Sequence, residues 1–154
     1  MAQMTKEGYR QAFVVRWGDL DANGHMRNTA FLDACVDTRF GYFASRGLVP
    51  AEFAKLRIGP VVRRDEVDYY RELRFLDRFT VDIELAGLSE DASRFAIQNR
   101  FFRDDGSLAA KVVSSGGWLD LGSRRLVVPP RLILDALSEL PRTDEFEQLK
   151  SSVR

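Results

Sequence analysis

The sequence holds one histidine, one cysteine, no excess charge of either sign and no long apolar run, and each shortage removes a class of function. His25 is the sole histidine, so a metal site or mechanism that needs two histidines from one chain is excluded. Cys35 is the sole cysteine, which rules out an internal disulfide or a cysteine-built metal cluster and fits a reducing compartment, the cytoplasm. Lys and Arg number 23, as do Asp and Glu, so the sequence lacks the basic footprint that nucleic acid or an anionic membrane selects. No run approaches the roughly 20 apolar residues of a membrane span, and Met1 to Arg10 has no apolar stretch of signal-peptide length. A cytoplasmic protein without a membrane span is expected.

What remains suits an ordinary globular chain. Over 154 residues, 45% are apolar and 30% charged, a balance able to bury one sizeable core. A single domain over 1–154 is expected, with its core at about 11–140 and a polar, frayed tail beyond Pro141.

The order of periodicities defines the fold class. Between Gln11 and Trp17, Phe13, Val15 and Trp17 alternate with Ala12, Val14 and Arg16, the period of a strand. Gly18-Asp19-Leu20-Asp21-Ala22-Asn23-Gly24-His25 is dense in turn formers and reads as a loop. From Asn28 to Arg46 the apolar residues Phe31, Leu32, Cys35, Val36, Phe40 and Phe43 recur at helical spacing, with Asn28 or Thr29 as the N-cap and Gly47 as the stop. Further strands follow at Pro60 to Arg71, at Thr80 to Leu85, around Phe95 to Phe101, and through Lys111 to Val113 after the Asp105-Gly106 turn. Leu132, Ile133, Ala136, Leu137 and Leu140 form the stripe of a short C-terminal helix after Pro129-Pro130. The pattern is α+β: an antiparallel sheet of about five strands wrapped around one long central helix. One helix cannot cover such a sheet, so a homodimer or homotetramer is expected to hide the remaining edge and apolar face.

The stretch from Val15 to Leu32, with Asp19 and Asp21 one residue apart, then Gly24 and a helix opening near Asn28, resembles the signature of the 4-hydroxybenzoyl-CoA thioesterase family. Val61 to Tyr69 and Leu76-Asp77-Arg78 are also similar to that family's second strand and following turn. The resemblance spans about residues 11–120 and implies the hot dog fold and hydrolysis of an aromatic or aliphatic acyl-CoA, with no cofactor. It implies Asp21 as nucleophile or general base and Asp19 as a residue that positions the loop. Met26-Arg27 stands where relatives often carry Val-Asn or an aromatic residue, so the acyl preference stays open.

The chemistry suits these residues. A carboxylate is ionised at neutral pH and can attack an acyl carbon or take a proton from water. The helix opening near Met26, Arg27 and Asn28 presents unpaired amides and a positive dipole end to the carbonyl oxygen. Asn28 is a candidate to position substrate or to cap the helix. His25 is a candidate general base, against a backbone-bonded loop histidine. Gly24, Met26, Arg27 and, from a neighbouring strand, Glu66 are expected to contact substrate, and arginines among Arg63, Arg64, Arg71, Arg74, Arg78 and Arg94 could meet CoA phosphates. Trp17 and the phenylalanines are expected mainly in the core. Two other functions fit parts of this pattern: a hydratase or dehydratase on acyl thioesters, using His25 with Asp21 or Glu66, and a noncatalytic module that binds acyl thioesters.

Overall fold

The computed structural model describes residues 2–5 and 8–154. Strands β1 (Ala2–Thr5) and β2 (Gly8–Val14) lead into a single 3-10 turn, Trp17–Asp19, and then into the long helix α1 (Asn28–Ser45). Helix α2 (Pro50–Leu56) and strands β3 (Ile58–Tyr69), β4 (Arg78–Asp82), β5 (Glu84–Ser89), β6 (Arg94–Arg103), β7 (Leu108–Asp120) and β8 (Leu126–Val127) follow. Helix α3 (Arg131–Ser138) and strand β9 (Arg142–Leu149) close the order. This is the hot dog fold: one sheet curls around α1.

The sheet grows by antiparallel pairing. β6 pairs with β7 on one side and with β4 and β5 on the other; β3 lies outside β7, and β2 then β1 lie outside β4. The expected strands are therefore present as β2, β3, β4, β6 and β7, and four more accompany them among the described residues. Thr80 to Leu85 is split at Ile83 into β4 and β5. The segment before Gly59, unassigned from sequence, is α2, where Pro50 at the first helical position fixes φ at no cost in hydrogen bonds.

The expectation of a frayed tail is corrected. Arg142–Leu149 pairs in parallel with β5, Gly87 opposite Glu147 and Leu88 opposite Gln148. Phe146 packs on the core, and Leu149 lies against Gly87. These apolar residues stand three apart, too sparse for a strand-like alternation to be read.

Helix α1 stops as expected, since Gly47 adopts φ +82°, the left-handed backbone that favours glycine at a helix end. Its buried face differs from the expected stripe. Phe31, Cys35 and Phe43 point inward, but so do Thr38 and Arg39, while Val36 and Phe40 stay exposed. Arg39 donates from Nε to Asn99 Oδ1 at 3.0 Å and also bonds Ser114, which in turn donates to Asp65. Burial of Arg39 pulls its pKa down, and this polar group lies between two apolar clusters. One, at the opening of α1, joins Val15, Met26, Ala30, Phe31, Ala34 and Cys35 to Phe79, Phe101 and Val112. The other, at its end, joins Tyr42 and Phe43 to Phe53, Phe95, Trp118, Ile133 and Leu137.

Candidate active site

The loop after the 3-10 turn is held by its own aspartates. Asp19 is buried and its carboxylate accepts from the Arg16 backbone N–H at 2.9 Å and from the Arg16 guanidinium at 3.2 and 3.0 Å. Those hydrogen bonds from Arg16 hold the Asp19 carboxyl below the ordinary carboxylate range. Its carbonyl also accepts from the Arg27 N–H at 2.8 Å. Asp19 is thereby spent on shaping the loop.

Two residues on, Asp21 is exposed and points to a different side. Its Oδ1 accepts from the backbone N–H groups of Asn23 at 2.8 Å and His25 at 3.2 Å. No hydrogen bond engages Oδ2 among the described residues. Gly24, at φ +78°, closes this turn and donates its N–H to the Asp21 carbonyl at 3.1 Å, a geometry that a side chain would strain. The turn is stitched to residues 72–77: Met26 N–H donates to the Leu73 carbonyl at 2.7 Å, and His25 pairs with Arg74 in an isolated bridge.

Asp21 lines a cleft of about 710 Å³ together with His25, Met26, Asn28, Phe31, Tyr69, Tyr70, Arg71, Glu72, Leu73, Arg74, Asp77 and Arg103. His25 Nε2 lies 2.9 Å from Glu72 Oε2, which also meets Arg74 at 3.2 Å. Phe31 stands edge-on to Tyr69, centroids 5.3 Å apart, and forms an aromatic wall. Cys35 takes no part: it is buried, and burial pushes its thiol up to about 12, which leaves it protonated and unreactive at neutral pH.

The amide donors differ from the expected set. Met26 and Arg27 have given their N–H groups to Leu73 and Asp19. The N-cap is Arg27, in extended backbone with no side-chain cap, not Asn28 or Thr29. Asn28 and Thr29 are therefore the first helical residues, and their N–H groups have no acceptor among the described residues. The Asn28 side chain is likewise unbonded there and exposed at the cleft. The Asp21 carboxylate and the opening of α1 at Asn28 thus face one cleft, an arrangement able to add a nucleophile to a carbonyl while stabilising its oxygen.

The family description that matches this chain is that of the thioesterase-like superfamily, over residues 15–139. The chain belongs to the thioesterase-like superfamily. A search of curated proteins found no match. Among solved structures, a Staphylococcus aureus protein in complex with CoA is similar at 21% identity and TM-score 0.76, over 87% of this chain and 86% of that one. A 1,4-dihydroxy-2-naphthoyl-CoA thioesterase from Synechocystis is similar at 17% identity and TM-score 0.75, over 85% of this chain and 96% of its own. A DHNA-CoA thioesterase from Staphylococcus aureus matches at 17% identity and TM-score 0.75, over 84% of this chain and 88% of its own. At these identities the likeness is one of fold.

Other residues of this thioesterase-like chain fall less neatly. Glu66 does not reach the Asp21 cleft. It pairs with Arg64 at 2.8 Å and lines a separate cavity with Asp68 and Lys111, because Glu66 and Asp68 share one face of β3. Arg27 sends its side chain to Thr29 Oγ1 at 2.8 Å and to the Gly18 carbonyl, away from the cleft. Of the arginines named from sequence, Arg71 and Arg74 line the cleft and Arg63, Arg64, Arg78 and Arg94 do not. Trp17 is 75% exposed and edge-on to Phe75, a correction that follows from its place on the 3-10 turn. Glu72, Arg103, Tyr69 and Tyr70 were not singled out as site residues from the sequence; only the fold brings their segments to the loop.

Proposed function

We propose that the chain is a cytoplasmic acyl-CoA thioesterase in which Asp21 is the nucleophile or general base. The observation that carries this reading is the juxtaposition, in one cleft, of the Asp21 carboxylate with Asn28, the first residue of α1, whose N–H has no acceptor among the described residues. The thioester carbonyl oxygen accepts from that amide, which makes its carbon electrophilic where negative charge develops. Asp21 then attacks to give an acyl anhydride and release CoA thiolate, after which water cleaves the anhydride to the free acid and restores Asp21, or Asp21 takes a proton from a water that attacks to give a tetrahedral intermediate. In the second route the intermediate collapses to free acid and thiolate. A thiolate is a good leaving group, so no strong general acid is needed. Arg71, Arg74 and Arg103 offer guanidinium groups to the CoA phosphates, in keeping with the CoA bound to a protein of the same fold.

The reading includes a homodimer or homotetramer of this single domain. Val36 and Phe40 on α1 and Val62 on the outer strand β3 are exposed around an apolar cavity of about 230 Å³, and β3 offers an open edge of the kind that pairs or is covered. Sedimentation at micromolar concentration is expected to give a dimer or tetramer; a monomer would refute this part alone.

Free thiol release from a panel of acyl-CoA substrates tests the reaction. Hydrolysis by the wild type, lost in Asp21→Asn with the fold intact, is the expected result. The His25–Glu72 pair facing the same cleft favours one second reading, a hydratase acting on enoyl-CoA. Hydration of enoyl-CoA without thiol release would replace the thioesterase reading with that one.

A further inference from the structure

Met26 borders two cavities. It is 6% exposed, yet it lines both the Asp21 cleft and a second groove of about 340 Å³. The floor of that groove is apolar: Phe13 stacks on Phe79 with centroids 5.2 Å apart, and Ala30 and Ala34, one turn apart on α1, leave room because they carry only methyl groups. Its rim is acidic, with exposed Asp33 and Asp37, while Arg16 is already paired with Asp19 at 3.0 Å. The loop alternates between the two spaces, Asp19 on the groove and Asp21 on the cleft, with Met26 between them.

We propose that Met26 is the acyl gate of the site: the acyl group of the substrate passes beneath its side chain into the groove floored by Phe13, Phe79, Ala30 and Ala34. This inference rests on the thioesterase reading and names its substrate class. A thioether on an unbranched chain changes rotamer at little cost, so Met26 can move aside without disturbing the Leu73 bond made by its backbone. The groove takes an acyl chain with no charge at its far end. An acyl group ending in a second carboxylate meets Asp33 and Asp37 and is repelled.

The test compares kcat/KM of the wild type, Met26→Ala and Ala34→Leu on straight-chain acyl-CoA from acetyl to lauroyl, benzoyl-CoA and glutaryl-CoA. Opening the gate in Met26→Ala is expected to raise the ratio of the largest to the smallest accepted acyl group about tenfold or more, and filling the groove in Ala34→Leu to lower it by a similar factor. Glutaryl-CoA is expected to be the poorest substrate of its length. If Met26→Ala does not fold, the Ala34→Leu ratio decides alone. A wild type that hydrolyses the panel while folded variants keep its ratio overturns the gate and leaves the thioesterase reading standing. A wild type that releases no thiol from any member overturns both.

Discussion

The two ends of α1 are built from different materials. At its end, Tyr42 and Phe43 enter a dense aromatic packing in which Phe43 meets Phe53 at 5.9 Å and Trp118 at 6.1 Å, and Trp118 is fully buried. At its opening, the inward residues include Ala30 and Ala34, two cavities adjoin them, and the first two helical amides have no acceptor among the described residues. Close packing stabilises the closed end, whose adjoining apolar cavity is smaller than the cleft at the opening; small residues and unpaired donors sacrifice stability for a site. The polar group around Arg39 separates the two regimes along one helix.

The contrast breaks first at the closed end. Phe43→Ala is expected to cost about 3–5 kcal/mol of stability, a drop of roughly 10 °C or more in the unfolding midpoint. Turnover per folded molecule should hold, because the ring lies outside the cleft. Calorimetry beside an active-site titration checks both halves, and a turnover loss in the folded fraction would mean that the two ends are mechanically coupled.

The opening end admits a sharper test, on a single hydrogen atom. Asn28 is the first residue of the helix and Arg27 before it is extended, at φ −71° and ψ 155°, so proline fits there without distorting the chain. Asn28→Pro deletes the amide donor and keeps the helix. It is expected to lower kcat about 10²–10³-fold with the midpoint of unfolding unchanged. Asn28→Ala, which keeps the N–H, should lose far less. Equal losses in both variants would assign the effect to the side chain and remove the amide from the mechanism.

Much of this architecture is legible in the residue pattern, and the failures have physical causes. α1 could be read because Gly47 ends an 18-residue helix that no proline interrupts, and β6 because Phe95, Ile97, Asn99 and Phe101 alternate cleanly. β3 was read as a strand, but its two faces were not, because Arg63-Arg64-Asp65-Glu66 puts consecutive charges on both faces of an outer strand, which blurs the period of two and hid the direction of Glu66. The loop with Asp21, Gly24 and His25 was visible from its turn formers. Which amides stay free was not, since that depends on the Leu73 and Asp19 carbonyls, and Leu73 is delivered by the fold. Arg39 inward and Phe40 outward reverse the hydrophobic order, because Asn99 and Ser114 on neighbouring strands satisfy the guanidinium.

The closed end also has a fastening that the opening lacks, and acid should undo it. Asp91 sits in the turn between β5 and β6, where its carboxylate accepts from Ser151 Oγ at 2.6 Å, Ser93 N–H at 3.0 Å and Ser89 Oγ at 2.9 Å. The C-terminal tail is thereby tied to the sheet just beyond β9. Burial raises the Asp91 carboxyl, but the hydrogen bonds from Ser151, Ser93 and Ser89 together outweigh it and hold the group well below the usual carboxylate range. A carboxyl lowered in the folded state stabilises that state above its unfolded value, about 3.9, and the contribution fades as pH falls from there toward the folded value. Asp91→Asn should therefore cost about 1–3 kcal/mol at pH 7, and the gap to wild type should narrow by pH 3. Denaturant unfolding at the two pH values measures it. A gap that stays constant would mean that Asp91 acts through the shape of its turn and not through its charge.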